Sequence, residues 1–224
     1  MVKFASRFAP LTLAAADLAC IRGGRPVFYG VEFSLASGEL LALTGPNGSG
    51  KSSLLRLLAG LLPAAGGSMR LSSGAAGDGQ TDELIHYFGH LDGLKPVFTL
   101  QENLTFWRTL YGTGEPGIAA SIGDAVAQVG LGHMRDLPVS VFSAGQRRRA
   151  GLARLLTAPR PVWLLDEPTA ALDSEGEAML GGLMEAHLAS GGMIVAATHL
   201  ALPVAPTQTL DMTLDMAFNM EGAA

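Results

Sequence analysis

The sequence is short of several things. It holds a single cysteine, Cys20, so an internal disulfide framework and a four-thiolate metal site are both excluded. Cys20 itself reads as a buried or half-buried thiol in a reducing compartment. Charged residues make up 16% of the chain, where soluble domains average roughly a quarter. With a mean hydropathy of +0.31, so thin a charge points to docking onto something apolar. Positive charge is not in excess: the net charge is −5 and the pI about 5.5. That excludes a broad nucleic-acid-binding face and leaves room only for a local basic patch. Long apolar runs are missing too. Glycine, proline or charge interrupts every candidate before the ~18 residues that span a bilayer. Lys3 and Arg7 precede a mildly apolar stretch, Leu11 to Cys20, which faintly resembles an export signal; Pro10 and Asp17 oppose that reading.

What is present suffices for a buried core. The chain has 224 residues, of which 48% are hydrophobic, so a disordered chain is excluded and one compact domain with a small inserted lobe fits. Val27–Leu35 alternates loosely and Ser37-Gly38 marks a turn, which predicts an antiparallel strand and hairpin. Glu39–Thr44 is a short apolar strand. Leucines 54, 55, 57, 58, 61 and 62 predict a helix over 51–62. Residues 66–80 read as turn, weak strand and loop, and Leu84–Phe88 as a strand. Helices are expected over Leu100–Tyr111 (Thr99 and Glu102 forming a capping box), Ile118–Val129, Gly145–Leu156 and Ser174–Leu188. Strands are expected at Val162–Leu165 and Met193–Ala197, the first of a type buried on both faces. The chain after His199 gives no clear pattern. The fold class is therefore α/β: a nucleotide-binding core from residues 1–90 and 161–224, with a helical subdomain inserted at 91–160.

Gly45-Pro46-Asn47-Gly48-Ser49-Gly50-Lys51-Ser52 fits G-x-x-x-x-G-K-[ST] between a strand and a helix. The glycines let backbone N–H groups point inward around a phosphate chain, and the helix adds its positive end. Lys51 supplies a full charge, and Ser52 a hydroxyl for Mg²⁺. These residues and the adjoining Ser53 are the candidate ATP-binding set. Val162-Trp-Leu-Leu-Asp166-Glu167 ends a buried strand in two carboxylates. Asp166 can hold Mg²⁺, directly or through water, opposite Ser52. Glu167 is placed to act as general base on the attacking water. His199, after the next strand, is a candidate contact to the γ-phosphate.

Phe142-Ser143-Ala144-Gly145-Gln146 resembles the signature loop of ABC ATPases, usually LSGGQ, and Leu165-Asp-Glu-Pro-Thr-Ala-Ala-Leu-Asp173 resembles the same family's strand-end carboxylate motif and the loop after it. With the phosphate loop and His199, the resemblance runs over nearly the whole chain in the family's order. It implies a P-loop NTPase core of ABC ATPase type, with an N-terminal antiparallel β subdomain and an inserted helical subdomain. It also implies a head-to-tail homodimer, in which Ser143, Gly145 and Gln146 of one copy close on the ATP held by the other. Arg147, Arg148 and Arg149 read as helix-surface cations available for salt bridges.

The departures from the family pattern concern three positions. His90 stands where a glutamine usually contacts Mg²⁺ and the attacking water, so it joins the catalytic candidates. Phe142 replaces a leucine. Arg22 stands where an aromatic ring usually stacks on adenine; a guanidinium can also stack on a purine, with a weaker adenine preference. The segment Tyr87–Lys95 and Leu100-Gln-Glu-Asn-Leu104 resemble the ATP-binding subunits of the haem exporters of cytochrome c biogenesis. That implies integral membrane partners of the cytochrome c maturation complex and a peripheral place on the cytoplasmic face of the inner membrane. Haem is not expected on this chain, which has no Cys-x-x-Cys-His and only scattered histidines, nor is nucleic acid. Another small exporter of lipids or drugs is the alternative. A soluble family member acting on ribosomes or DNA would carry duplicate domains or basic arms, and a passive binding module would have no use for intact Lys51, Asp166 and Glu167. The apolar residues at 91–110 either dock a membrane partner or fill the helical lobe.

Overall fold

A computed structural model gives the fold and describes residues 8–73, 83–112 and 120–213. It is an α/β structure of two compact units. The first unit comprises residues 1–89, 161–168 and 184–224, and the second 90–160 and 169–183.

The first unit holds two sheets. β1 (Leu11–Arg22) and β2 (Arg25–Ala36) form an antiparallel hairpin, and β4 (Gly66–Ser73) pairs with the other edge of β1. The hairpin turns at Gly23-Gly24, with φ of 56° and 74°. Two left-handed residues in a two-residue loop match the right-handed twist of the strands, and glycine adopts them without strain. So the stretch with a faint export-signal look is a strand, with Leu13, Leu18 and Cys20 in the core. Its period breaks at Asp17, φ 50°, where the register shifts between Ala15 and Leu18. Across this bulge lies Gly67, where a Cβ would stand 2.1 Å from the Asp17 carbonyl oxygen; only glycine fits there.

The second sheet is parallel, in the order β5-β6-β7-β3-β8. Its strands are β3 (Leu40–Thr44), β5 (Ile85–Phe88), β6 (Val162–Asp166), β7 (Met193–Ala197) and β8 (Gln208–Asp211). Every residue of β6 and β7 is buried, as expected of strands covered on both faces. One apolar cluster joins the sheets to α1 (Lys51–Leu58) through Leu54, Leu55, Leu57 and Leu58. Two expectations need correction, and one segment without a pattern gains a strand. The Ser37-Gly38 turn leads from β2 to β3, in the other sheet, and is not a hairpin. α1 ends at Leu58 rather than residue 62, because Gly60 turns left-handed, φ 70°. And the unread tail contains β8, paired with β3 at the sheet's edge.

The second unit is helical. α2 (Leu100–Tyr111) starts at the Thr99–Glu102 capping box, with both reciprocal bonds made. α3 covers Ile122–Gln128 and begins at Ser121, which caps Asp124; residues 118 and 119 of the longer helix expected there lie outside the described residues. α4 covers Ala144–Thr157, and α5 (Ser174–Ala189) belongs to this unit up to Leu183. Buried Asn103 fixes the loop before α2: its Oδ1 accepts from the Lys95 N–H at 2.7 Å, and its Nδ2 donates to the Thr99 and Lys95 carbonyls at 2.9 and 3.1 Å. Trp107 Nε1 donates to the Gly93 carbonyl at 2.9 Å, and the Arg154 guanidinium lies over the Trp107 ring. Among the described residues no helix is long and apolar enough to cross a membrane.

Candidate functional site

β3 delivers the chain from the core to the phosphate loop, and α1 carries it away. Gly45, Gly48 and Gly50 all have positive φ (124°, 86° and 98°). Gly50 caps α1 without any side-chain bond to the first-turn N–H groups. Those donors therefore face the loop, with the positive end of the helix behind them. A Cβ on Gly50 would meet Val27 Cγ1 at 2.9 Å and Phe28 Cδ1 at 3.0 Å, so the position is closed by space as well as by conformation. Lys51 is buried, and its Nζ donates to the Gly45 and Pro46 carbonyls at 2.7 and 3.0 Å. The lysine thus spans the loop it serves. Ser49 Oγ is buried and without a partner, an orphan polar atom inside the cradle.

The strand-end carboxylates come to the same place. Asp166 ends β6, and its Oδ1 accepts from Ser52 Oγ at 2.9 Å. Its Oδ2 accepts from the Tyr87 hydroxyl at 3.3 Å, which in turn accepts from Arg56 Nε at 3.4 Å. Burial raises the Tyr87 phenol above its usual range, opposed by the Arg56 bond. That bond is also the main cause of a rise at Arg56. Tyr87 and Arg56 escaped the sequence reading. Tyr87 lies beside Leu164 in the β5–β6 ladder, a relation no local spacing encodes.

Glu167 has φ 49°, a left-handed conformation that costs a non-glycine residue on the order of 1 kcal/mol and gathers at functional sites. Its N–H donates to the Ala197 carbonyl at 2.9 Å. Its carboxylate Oε2 pairs with His199 Nδ1 at 2.9 Å. The sheet therefore links the two outer catalytic candidates, with β7 running toward His199. A cavity of about 780 Å³ is lined by Arg22, Val27, Lys51, Ser52, Ser53 and Glu167 together with Gly23, Asn47, Gly48 and Gly50. It brings most of the first unit's candidates to one surface.

The oxygens around Ser52 and Asp166 suit magnesium, a hard cation that takes few protein ligands and keeps water and substrate phosphates for the rest. The described residues include no cluster of three or more His, Cys, Asp and Glu placed to hold a metal alone. A hydroxyl and a carboxylate beside a phosphate cradle are the donor set such an ion uses.

The remaining candidates belong to the second unit. Ser143 is the N-cap of α4: its Oγ accepts from the Gln146 N–H at 3.2 Å, and Gln146 Oε1 accepts from the Ser143 N–H at 2.8 Å. Gly145 lies against the next loop, where a Cβ would stand 2.9 Å from the Ala171 carbonyl oxygen. His90 is exposed and lines a cavity of about 410 Å³ with Asp92, Ala144, Arg147 and Ala171. Arg148 is buried rather than a surface cation, and the described residues include no ion pair of Arg147 or Arg149.

Residues 28–170 match the ABC transporter family model. A curated cytochrome c biogenesis ATP-binding export protein CcmA from Nitrobacter winogradskyi is 52% identical over 87% of this chain and 95% of its own length. Its namesakes from a Chelativorans species and Rhizobium meliloti are 50% and 47% identical, over 90% and 91% of this chain and 98% of theirs. Among solved structures, an ATP-binding subunit of an ABC transporter superposes with TM-score 0.75 at 25% identity, over 84% of this chain and 79% of that one. An ATP-binding cassette solved in its ADP conformation gives TM-score 0.68 at 20% identity, over 87% and 83%. The last is a likeness of fold alone.

Proposed function

This chain belongs to the ABC transporter family, and from that premise we propose that it is the ATP-hydrolysing subunit of a membrane complex serving cytochrome c biogenesis, haem export or release of a haem-loaded chaperone being the work done. The observation that carries the reading is the Ser52–Asp166 bond, which ties the phosphate loop to the end of β6, beside the Glu167 that lines the cavity with Ser52. The narrower assignment draws on half-identity, over about nine-tenths of the chain, to proteins named for cytochrome c biogenesis.

The triphosphate of ATP lies in the loop from Gly45 to Ser52. The first-turn N–H groups of α1 donate to it, and Lys51 Nζ turns from the Gly45 and Pro46 carbonyls to the β and γ oxygens. Ser52 and Asp166 are the residues that would hold magnesium, which would supply charge neutralisation for the phosphates. Glu167 accepts the proton of the attacking water. His199 holds the Glu167 carboxylate in place until the γ-phosphate arrives, and then donates to it. His90 orients the water. A second copy presents Ser143, Gly145 and Gln146, and the cap of α4 brings another helix N-terminus to the phosphate. The working unit is a homodimer on the cytoplasmic face of the inner membrane, attached through integral membrane partners. Haem and nucleic acid do not bind this chain. Hydrolysis releases the dimer and moves the partners.

The test is Glu167→Gln in the complex purified with its membrane subunits. ATP stays bound and turnover falls at least roughly a hundredfold, the lower limit for a lost general base. In cells, the same variant leaves c-type cytochromes without covalent haem while b-type cytochromes remain. Normal turnover would mean that another group activates the water. Lost turnover with intact c-type cytochromes would move the chain to a different exporter.

A further inference from the structure

β7 ends at Ala197, paired with Leu43 of the strand that delivers the phosphate loop. Just beyond it Glu167 and His199 meet. Glu167 is anchored by its N–H bond to the Ala197 carbonyl. The His199 side chain is 55% exposed, yet its Nδ1 stands 2.9 Å from Glu167 Oε2. Holding an exposed side chain in one geometry costs conformational entropy, about as much as an exposed ion pair returns. The bond therefore needs a backbone that has already aimed the ring.

Thr198 supplies that backbone. It is buried, and its N–H donates to the Leu43 carbonyl at 3.3 Å. Its hydroxyl donates to the Leu200 carbonyl at 2.8 Å and accepts from the Leu200 N–H at 2.9 Å. One oxygen thus takes both polar backbone groups of the residue two places on, and His199 is the residue enclosed. The branched Cβ restricts χ1, which keeps the hydroxyl turned toward Leu200. Leu200 is half exposed, so water can satisfy its N–H and carbonyl equally well. What the hydroxyl adds is a fixed turn at His199.

We infer that Thr198 is a positioning residue for ATP hydrolysis: its hydroxyl closes the turn around His199 and so aims Nδ1 at the Glu167 carboxylate. The inference rests on the ATPase reading above. Consecutive residues then place the two partners, Ala197 through its carbonyl on Glu167 and Thr198 through its hydroxyl on His199. The two ring nitrogens are distinct. A neutral imidazole that donates from Nδ1 to Glu167 leaves Nε2 as an acceptor. A ring released from the turn loses the partner that keeps its proton on Nδ1.

The experiment compares the wild type with Thr198→Val and Thr198→Ser. Valine keeps the branched, buried shape and removes the hydroxyl; serine keeps the hydroxyl. Turnover is measured in the complex purified with its membrane subunits, and ATP binding and the ring-nitrogen NMR shifts of His199 on the full chain. Thr198→Val should lower kcat roughly tenfold or more while ATP binding stays within about twofold of the wild type. Thr198→Ser should keep turnover within about threefold of the wild type. At about pH 9, well above the ordinary histidine range, the wild-type ring should carry its proton on Nδ1, and the Thr198→Val ring on Nε2. Undiminished turnover in Thr198→Val, or an unmoved ring proton, would overturn the inference alone. So would a Thr198→Ser as slow as Thr198→Val, or ATP binding lost in step with turnover, since Thr198 would then support the fold rather than the ring. Thr198→Ala is held to the same expectations as Thr198→Val and decides the matter should the valine variant not fold. A wild-type complex that neither bound nor hydrolysed ATP would overturn the ATPase reading and the inference together.

Discussion

Tyr87→Phe tests one of the two members of the site that spacing did not reveal. The substitution keeps the ring and removes a hydroxyl that donates to Asp166 at 3.3 Å and accepts from Arg56 at 3.4 Å. Both bonds are long for charged partners, so each belongs at the low end of the scale, about 0.5–1 kcal/mol. The loss is then about 1–2 kcal/mol. In a protein of this size each kcal/mol moves the midpoint by about 2–4 °C, which predicts a fall of about 2–8 °C. Alkali supplies a second readout. Burial raises the Tyr87 phenol, so the folded chain keeps its proton to a higher pH than the unfolded chain does. Unfolding free energy is therefore steady below the usual tyrosine value, about 10, and falls as pH climbs from there through the folded value. Tyr87→Phe should flatten that alkaline decline. The assays are thermal unfolding at neutral pH and denaturant unfolding across pH 9–11. An unchanged midpoint together with an unchanged alkaline slope would show that the hydroxyl does not brace Asp166.

Gly145→Ala places a methyl group 2.9 Å from the Ala171 carbonyl oxygen, a backbone atom that cannot swing away. Overpacking of this kind costs about 1–3 kcal/mol. ATPase activity of the assembled complex should fall with the denaturant midpoint, and full activity in a stable variant would refute the contact. Cys20 is buried, and desolvation raises its thiol above the usual range, slightly offset by Arg22. Less thiolate and no access both slow alkylation. Iodoacetamide should therefore label the native chain far more slowly than the unfolded chain at pH 8, and equal rates would place the thiol outside the core.

Local signals carried most of the fold. The Thr99–Glu102 box starts α2 where the sequence puts it, and β7 spans the expected residues, because a cap and a five-residue apolar run are complete within themselves. β1 was hidden because its bulge at Asp17 breaks the two-residue period, so Leu13 and Leu18 share a core without sharing a phase. β8 was hidden for a different reason. Gln-Thr-Leu-Asp has no apolar run, and it becomes a strand only because β3 offers an open edge. The site shows the same division. The phosphate loop and Asp166-Glu167 are contiguous motifs, whereas the Arg56–Tyr87–Asp166 chain joins residues from α1, β5 and β6 and exists only once the sheet has formed.

Some of the apolar residues at 91–110 fill the helical lobe and others face solvent. Leu94, Leu100 and Leu104 are buried, and Trp107 is stacked on Tyr111 at 5.2 Å between centroids. Leu91 and Val97 are 83% and 80% exposed, and Phe98 and Phe106 about half. A mobile loop would let such side chains fold inward and shed water. Here the backbone is not free to do so. Asn103 holds Lys95, Trp107 holds Gly93, and a Cβ at Gly93 would stand 2.7 Å from Arg154 Nη1. Arg154 is itself buried, and desolvation lowers its pKa against the opposing pull of Tyr111 and Asp92, so its contact over the Trp107 ring helps to offset the cost of burying a charge there. The inner residues of the segment thus hold its outer ones in water, against the direction hydrophobic burial would take them. Within this unit, the lobe-filling and the solvent-facing residues are parts of one construction, and the thin charge read from composition has a definite place on the surface.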